Sequence, residues 1–312
     1  MGNLFRVVYM GTPRFAVPPL KVLASGADVA LVVTQPDRRA GRGRKAVQSP
    51  VKEEAARRGI PCQQPESIGD DETIGILRDL ACDLIVVAAF GQILPPEVLS
   101  IPRLGCINIH ASLLPRYRGA SPITAAIAAG ETTTGVTTMM MDRGMDTGDM
   151  LLQLSLAIDE TDTAGTLTER LSLLGAQAIL KTLRALEAGR LERIPQDDAA
   201  ATYAPLLRKE DGEIDWTGSA WEIGNHVRAM DPWPGAFTTL GDKIIKIWRV
   251  SPASGTGGGG KILEVGSRLV VGAGAGVVAI DELQLPGRKR IAAGEFLRGN
   301  HEIREGMTFG RP

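Results

Sequence analysis

Apolar residues in the first part of the chain follow two spacings, one typical of buried strands and one typical of helices. Almost continuous apolar runs predict parallel strands, which are buried on both faces. These runs are residues 5–10, 27–33, 83–88 and 106–110. Apolar residues at helical spacing predict helices at 16–23, 49–58, 72–80, 121–129 and 163–186. With a pair of strands at 134–141 and 151–157, the alternation predicts an α/β fold with a doubly wound, mostly parallel, Rossmann-like sheet.

The pattern changes after residue 189. Residues 190–208 contain two prolines and few large apolar side chains, which is typical of a linker. One helix at 219–230 is then followed by short alternating strands at 237–240, 243–250, 261–265, 268–271 and 276–280. Short strands at this spacing predict a small β-barrel, similar to an OB fold. We therefore predict one domain at 1–189, a linker at 190–208 and a smaller barrel domain at 209–312.

Composition narrows the functional classes. The chain has 312 residues, of which 44% are hydrophobic and 23% charged, so we expect a soluble globular protein. No apolar run approaches the roughly 18 residues of a transmembrane helix, and no signal peptide precedes the first strand, which favours the bacterial cytoplasm. Three scattered cysteines and only three histidines indicate neither a disulfide framework nor a metal site. A net charge of −1 means that a nucleic acid would have to meet a local basic patch.

The most informative string, N-I-H-A-S-L-L-P-R-Y-R-G, runs from Asn108 to Gly119. Asn108 and His110 are two residues apart at the end of a predicted strand, so their side chains share one face. The carboxyl ends of the strands are where open parallel sheets bind ligands. The sequence therefore predicts an amide donor and an imidazole at a ligand site. The alternative is that both side chains only cap backbone groups.

A second string, D-R-G-M-D-T-G-D, carries three aspartates after a predicted strand: Asp142, Asp146 and Asp149. Moving an acyl group between two nitrogens requires donors for the developing oxyanion and a base for the attacking amine. An amide and an imidazole could meet the first need, and an aspartate the second. Spacing alone does not choose among the three aspartates, and Asp and Gly also make ordinary turns.

Motifs of several other enzyme classes are missing from the sequence. The first strand-to-helix turn, Met10–Phe15, lacks G-x-G-x-x-G, so a bound dinucleotide is not indicated. Neither a P-loop nor a G-x-S-x-G string occurs, which disfavours P-loop NTPases and α/β-hydrolases. Ser112 is a poor candidate nucleophile because no such elbow surrounds it.

Together these strings resemble the 10-formyltetrahydrofolate-dependent formyltransferases, and the resemblance extends over about residues 4 to 309. It implies that Asn108, His110 and Asp146 are catalytic, with the first two stabilising the oxyanion and Asp146 assisting proton transfer. The substrate amine would attack directly, without an acyl-enzyme, and no metal is implied. The chain most resembles those members that formylate methionyl-tRNA. A protein of this kind would act as a monomer in the bacterial cytoplasm.

The resemblance also implies two loops that bind 10-formyltetrahydrofolate as co-substrate. Their residues are Phe90, Gly91, Gln92, Ile93 and Leu94 in one loop, and Ser112, Leu113, Leu114 and Pro115 in the other. Exposed leucines in the second loop would be unfavourable unless a ligand or partner covered them. The alternatives are a loop packed against the sheet, Phe90 as ordinary core, and Arg116 and Arg118 as solvated side chains.

A polar loop after the second strand contains five basic residues within eight positions: Arg38, Arg39, Arg42, Arg44 and Lys45. A basic, glycine-rich loop suits contact with phosphates, although most short charge runs are only solvated. By resemblance this loop meets the acceptor stem of tRNA, with Arg42 as the expected contact. The implied function is formyl transfer to the α-amino group of methionine on initiator tRNA. The alternatives are formylation of an amino sugar nucleotide, or RNA binding without catalysis.

Overall fold

The computed structural model describes residues 5–40, 45–299 and 303–310, and the chain divides into two compact units. The first unit comprises Met1–Pro122, Thr133–Ala157 and Thr168–Ala204. The second comprises Ile123–Thr132, Ile158–Leu167 and Pro205–Pro312. The helices are α1 (Val17–Gly26), α2 (Pro50–Arg58), α3 (Asp71–Asp79), α4 (Pro96–Leu99), α5 (Pro122–Ala128), α6 (Ala164–Glu187), α7 (Ala220–Ala229) and α8 (Ala293–Gly299).

The first unit is built on a mostly parallel sheet. Its strands are β1 (Arg6–Gly11), β2 (Asp28–Val33), β3 (Arg38–Ala40), β4 (Lys45–Val47), β5 (Cys62–Gln63), β6 (Leu84–Ala88), β7 (Cys106–His110), β8 (Arg118–Gly119), β9 (Thr133–Met140), β10 (Met150–Ala157) and β11 (Tyr203–Ala204). Among the described residues, seven of these form one sheet in the order β10-β9-β7-β6-β1-β2-β5. The pairs from β7 to β5 are parallel, while β9 runs antiparallel to both β7 and β10. The predicted doubly wound, mostly parallel sheet is therefore confirmed.

The continuous apolar runs form the interior of this sheet. Residues 7–10 of β1 and 84–86 of β6 have no exposed surface, as expected for strands covered on both faces. Ser49 fixes the start of α2, because its hydroxyl accepts a hydrogen bond from the Lys52 backbone at 3.1 Å. Gly59 ends that helix in the left-handed region, with φ of +66°. Because β1, β6 and β7 pair in parallel, their carboxyl ends lie along one edge of the sheet.

The basic segment differs from the predicted loop. Arg38–Ala40 and Lys45–Val47 pair as a short antiparallel hairpin, with Arg38 opposite Val47. The strands are too short and too polar to show the alternation by which strands are recognised in a sequence. The positions 41–44, which include Arg42 and Arg44, lie outside the described residues.

The second unit carries an antiparallel sheet curled as a half-barrel. Its strands are β12 (Phe237–Leu240), β13 (Lys243–Ala253), β14 (Ile262–Val265), β15 (Leu269–Gly272), β16 (Val277–Gln284) and β17 (Ile291–Ala292). They follow the order β12-β13-β16-β15-β14, and β17 pairs with β16. A reciprocal capping box between Ser219 and Glu222 begins α7. The predicted small barrel-like domain class is thereby confirmed.

Within the part of the chain that the structure describes, no helix is both long enough and apolar enough to cross a bilayer.

Candidate active site

Strand β7 presents Asn108 and His110 at its carboxyl end. Asn108 lies between Val87 of β6 and Met139 of β9, and His110 lies opposite Thr137. The His110 side chain is only 6% exposed, and Asn108 is half-buried. Because the two residues are two apart in a strand, both side chains reach the same face, as predicted.

Asp146 meets both of these side chains. The Asn108 amide nitrogen donates to Asp146 Oδ1 at 3.2 Å, and His110 Nδ1 lies 3.5 Å from Asp146 Oδ2. The backbone N–H of Gly119 also donates to Asp146 Oδ2, at 2.8 Å. The structure thus brings together the three residues that were predicted to be catalytic.

The other two aspartates of the loop are placed differently. Asp142 Oδ1 accepts hydrogen bonds from the Gly144 backbone at 2.9 Å and from the Thr147 hydroxyl at 2.7 Å, which closes a local turn. The backbone carbonyl of Asp149 accepts from the Met140 N–H at 2.8 Å, so this residue continues the antiparallel pairing of the strands. The geometry therefore favours Asp146 among the three candidates.

One contact determines how the His110 ring holds its protons. Nε2 lies 2.9 Å from the carbonyl oxygen of Tyr117. A carbonyl can only accept, so Nε2 carries a proton and donates it. The remaining nitrogen, Nδ1, faces Oδ2 of Asp146.

The backbone around the site adopts an unusual conformation. Tyr117 and Asp146 have positive φ angles, of +60° and +55°. Aspartate tolerates this left-handed region, whereas for tyrosine it costs roughly 1–2 kcal/mol. Such residues persist only where surrounding contacts hold them, and they cluster at functional sites. Both of these residues contact His110 directly.

The loop after β7 packs against the sheet. Its leucines were expected to be exposed, but neither of them is. Leu114 is only 3% exposed, Leu113 is half-buried, and the Leu114 N–H donates to the Thr137 hydroxyl at 3.1 Å. Ser112 is fully buried, and its hydroxyl donates to the Arg116 carbonyl at 2.6 Å. That contact leaves Ser112 structural, consistent with its rejection as a nucleophile. Pro115 is half-buried at the end of the loop.

The loop after β6 presents backbone and little side chain. Phe90 and Leu94 lie in the hydrophobic core, and Gly91 has a φ of +88°. The Gln92 side chain is already hydrogen-bonded within the protein, because its oxygen accepts a hydrogen bond from the Ile68 N–H at 2.6 Å. Ile93, at 86% exposure, is the apolar side chain that this loop offers to a ligand.

Arg118 is buried, which corrects the interpretation that it is only solvated. Its side chain is only 2% exposed and donates to Gln196 at 3.0 Å and to Asp198 at 2.8 Å. Its neighbour Arg116 is exposed and stacks over the Tyr117 ring, with 5.2 Å from the guanidinium carbon to the ring centroid. A buried cation needs partners, and those of Arg118 come from about 80 residues later in the chain.

Residues 190–208 contribute contacts that the hydropathy pattern did not reveal. Besides Gln196 and Asp198, the Thr202 hydroxyl accepts a hydrogen bond from the Tyr117 N–H at 2.8 Å. Tyr203–Ala204 pairs with Arg118–Gly119 as a short parallel ladder. Polar side chains in a proline-containing stretch give no periodic signal, so only the structure could show that this segment adjoins the site.

An ion pair lies next to the first strand of the basic hairpin. Lys52 Nζ lies 2.6 Å from Asp37 Oδ2, and this contact, with a hydrogen bond from Gln64, holds the pKa of Asp37 below its usual range. Arg38 is exposed, and its guanidinium lies 3.4 Å from the Gln35 side-chain oxygen. The side chains of Arg39 and Lys45 lie outside the described part, as do Arg42 and Arg44 entirely.

Two family models match this chain. The model described as formyl transferase matches residues 7–183, and the formyl transferase C-terminal domain matches residues 206–301. This chain belongs to the formyl transferase family. The methionyl-tRNA formyltransferase of Geotalea uraniireducens is 52% identical to this formyl transferase over 308 residues, covering 98% of each chain.

Solved structures share the fold at low identity. The structure of HypX from Aquifex aeolicus in complex with tetrahydrofolic acid aligns with a TM-score of 0.63 and 18% identity, covering 99% of this chain and 51% of that one. Methionyl-tRNA formyltransferase from Clostridium thermocellum aligns with a TM-score of 0.57 and 17% identity, covering 90% of this chain and 99% of that one. Both confirm the architecture of this formyl transferase.

Proposed function

We propose that this formyl transferase moves the formyl group of 10-formyltetrahydrofolate to the α-amino group of methionine on initiator methionyl-tRNA. The observation that carries the proposal is the convergence of Asn108, His110 and Asp146 at the end of β7. In the reaction the amine nitrogen bonds to the formyl carbon, and the bond from that carbon to the folate nitrogen breaks. The amine loses a proton, and the folate nitrogen gains one.

Asn108 supplies a donor to the oxygen of the formyl group as it gains negative charge. An amide has two N–H groups, and the hydrogen bond to Asp146 uses one of them. The second is therefore available to the oxyanion, an interaction often worth about 10²–10³ in rate. His110 adds to this stabilisation through its positive charge when Nδ1 is protonated.

Asp146 receives the proton that the attacking amine loses. Its carboxylate oxygens are oriented by Asn108, Gly119 and the His110 ring, so they are held for this task before substrate arrives. Because Nε2 of His110 is engaged by Tyr117, proton exchange within the pair takes place at Nδ1. Direct attack by the amine requires no nucleophile from the protein.

The two loops after β6 and β7 are proposed to hold the folate. The solved HypX structure contains tetrahydrofolic acid, which supports a folate as the formyl donor for this fold. Backbone groups at Gly91 and the exposed Ile93 side chain suit the flat face and edges of a pterin ring. Phe90, Gln92 and Leu94 would act by shaping the loop, since their side chains are already engaged in the protein.

The second loop, Ser112 to Pro115, would line the donor site in the same indirect way. Ser112 and Leu114 are buried, so their contribution is to fix the backbone course of the loop. Leu113 and Pro115 are half-buried and can present apolar surface to the folate.

The acceptor follows from similarity to the Geotalea protein, which is named for methionyl-tRNA, and from the basic hairpin. Arg38, Arg39, Arg42, Arg44 and Lys45 are proposed to contact the phosphates of the acceptor stem. The domain at 209–312 is proposed to assist in binding tRNA, and the domain at 1–189 to carry the chemistry, with 190–208 joining them. We further propose that the protein acts as a monomer in the bacterial cytoplasm.

The test offers the protein 10-formyltetrahydrofolate together with purified initiator methionyl-tRNA or an amino sugar nucleotide. Mass spectrometry of the released amino acid should show formylmethionine, and the sugar should remain unformylated. Formylation of the sugar alone would overturn the acceptor assignment. No transfer to either acceptor by folded protein would favour a binding protein without catalysis.

The hairpin is tested in the same assay by replacing Arg42 with Ala. We expect the KM for tRNA to rise while the affinity for folate stays unchanged, because the change removes only a phosphate contact. Arg103→Ala, an exposed arginine before β7 that pairs with Asp83, is the matched control for loss of one surface charge. An equal effect of both substitutions would count against the hairpin as the tRNA contact.

A further inference from the structure

Asp146 is held by a glutamine from the segment that follows α6. The side-chain nitrogen of Gln196 donates to the backbone carbonyl of Asp146 at 2.8 Å and to that of Gly148 at 2.7 Å. Its side-chain oxygen accepts from Nε of Arg118 at 3.0 Å. Carbonyls only accept and a guanidinium only donates, so these three partners fix the orientation of the Gln196 amide.

Arg118 is itself immobilised at both ends. Its buried guanidinium also donates to Asp198, at 2.8 Å. Its backbone N–H donates to the Thr202 carbonyl at 2.8 Å, where β8 pairs with β11. The planar guanidinium is itself buried, and its fixed donor geometry orients the oxygen of the Gln196 amide.

The same segment supports the residue that His110 contacts. The hydroxyl of Thr202 accepts from the Tyr117 N–H at 2.8 Å, and the Tyr117 carbonyl accepts from His110 Nε2. Residues 196–202 therefore hold the backbone behind both members of the His110–Asp146 pair.

Asp146 requires such support because of its backbone. It lies in a glycine-rich loop with a φ of +55°, which is uncommon for a residue other than glycine, and contacts from other segments stabilise the course of such a loop. Gln196 bonds the carbonyls on both sides of this turn, at Asp146 and two residues later. Without it, the carboxylate would depend on its contacts to Asn108, Gly119 and His110 alone.

We propose that Gln196, oriented by Arg118, is a positioning residue for formyl transfer that fixes the Asp146 carboxylate against Asn108 and His110. The inference rests on the role proposed above for Asp146. It assigns a part in the reaction to a stretch that the sequence pattern presents as a linker.

Gln196→Glu is the decisive variant. Glutamate keeps the size of the side chain and an oxygen for Arg118, but an ionised carboxylate cannot donate to the two carbonyls. We expect kcat to fall by about 10- to 100-fold, the loss typical of a misplaced catalytic group. KM for tRNA and for 10-formyltetrahydrofolate should remain near the wild-type values, because neither substrate is proposed to contact Gln196.

Ser172→Ala controls for simple loss of stability. The buried Ser172 hydroxyl donates to the Phe15 carbonyl at 2.9 Å, so this variant also loses a buried side-chain bond to a backbone carbonyl. We expect it to lower the melting temperature but to leave kcat unchanged. Wild-type kcat in Gln196→Glu, or a loss no greater than in Ser172→Ala, would overturn the inference.

A second readout does not depend on turnover. The chain has three histidines, so the ring resonances of His110 can be assigned by comparison with a His110→Gln variant. In Gln196→Ala these resonances should move, because Asp146 shifts relative to the ring, whereas in Ser172→Ala they should not. Unchanged resonances in Gln196→Ala would overturn the inference.

Two variants distinguish failure of the role proposed for Asp146 from failure of the role proposed for Gln196. If Asp146→Asn retained full transfer activity, the role proposed above for Asp146 would be wrong, and the positioning role of Gln196 with it. If Asp146→Asn were inactive while Gln196→Glu were fully active, only the positioning role would be wrong.

Discussion

Replacing Asn108 by Asp probes the site with almost no change in side-chain shape. In the structure the Asn108 amide donates to Asp146 Oδ1 over 3.2 Å. The variant would place a second carboxylate oxygen where that donor stands. It therefore removes the proposed oxyanion donor and changes the charge of the base in a single step.

The distance sets the size of the effect. At 3.2 Å, two unit negative charges repel by about 5 kcal/mol at an effective dielectric constant of about 20. Two carboxyls this close do not both remain ionised at neutral pH, so the pair takes up one proton. Loss of the donor alone costs about 10²–10³ in rate. With the base also partly protonated, we expect kcat to fall by roughly 10³ or more.

The assay measures kcat for formyl transfer in wild type, Asn108→Asp and Asn108→Ala. Alanine removes the donor without adding a charge, so its loss should be smaller than that of aspartate. The proton shared in the folded Asn108→Asp variant is bound more tightly than in the unfolded chain. The stability that it contributes is present at low pH and is lost as the pH rises.

Urea denaturation at pH 5 and pH 8 should therefore show a larger decrease with pH for Asn108→Asp than for Asn108→Ala. Retention of more than about a tenth of wild-type kcat by Asn108→Asp would refute the reasoning, since loss of even one oxyanion donor costs more. Equal pH dependence of stability in the two variants would refute the expectation that the carboxyls at positions 108 and 146 share a proton.

Three further outcomes are expected. In Gly119→Ala, the new Cβ would lie 2.6 Å from the Ala204 carbonyl oxygen, and residue 119 has a φ of +115°. We expect urea denaturation to show that the free energy of unfolding falls by about 1–3 kcal/mol, and we expect a lower kcat. Burial raises the pKa of the Cys106 thiol to about 12, so this thiol should resist dithiobis(nitrobenzoate) at pH 8 until urea unfolds the chain. Lys52 holds the pKa of Asp37 below its usual range, so the stability lost in Asp37→Asn should be largest near pH 6. This loss should shrink as the pH falls towards 3, because the Asp37 carboxylate is then protonated. Urea denaturation at a series of pH values between 3 and 6 measures it.

Much of the fold could be predicted because its strands are buried on both faces. The run at Cys106–His110 has the same limits in the sequence pattern and in the structure. Its two-residue periodicity also predicts that Asn108 and His110 share one face. Continuous burial and strict alternation are properties of neighbouring residues, so the sequence displays them directly.

The choice of Asp146 needed more than spacing. Asp142 and Asp146 lie in the same glycine-rich loop, and either could be placed near a strand end by its sequence position. The backbone conformation distinguishes the two aspartates. It places the Asp142 carboxylate in a local hydrogen-bonded turn and directs the Asp146 carboxylate to Asn108. Loop conformation depends on such contacts and leaves no periodic pattern in the sequence.

The contacts that support the site could not be predicted from the sequence, for a similar reason. Arg118 reads as a solvated cation because its partners, Gln196 and Asp198, lie about 80 residues away in the chain. Its burial is favourable only when those partners are present. The leucines of the loop after β7 were likewise misjudged, since their cover is the sheet itself and is evident only once the chain is folded.

The most direct measurement is the single-turnover rate of formyl transfer to initiator methionyl-tRNA by wild type, Asp146→Asn and Asp142→Asn. Asparagine keeps the size of Asp146 and an acceptor for the Gly119 N–H, but it cannot take the proton from the amine. We expect Asp146→Asn to bind 10-formyltetrahydrofolate as tightly as wild type and to transfer at least about 10²-fold more slowly, while Asp142→Asn transfers at the wild-type rate. Transfer by Asp146→Asn at the wild-type rate would contradict the assignment of Asp146 as the group that receives the proton.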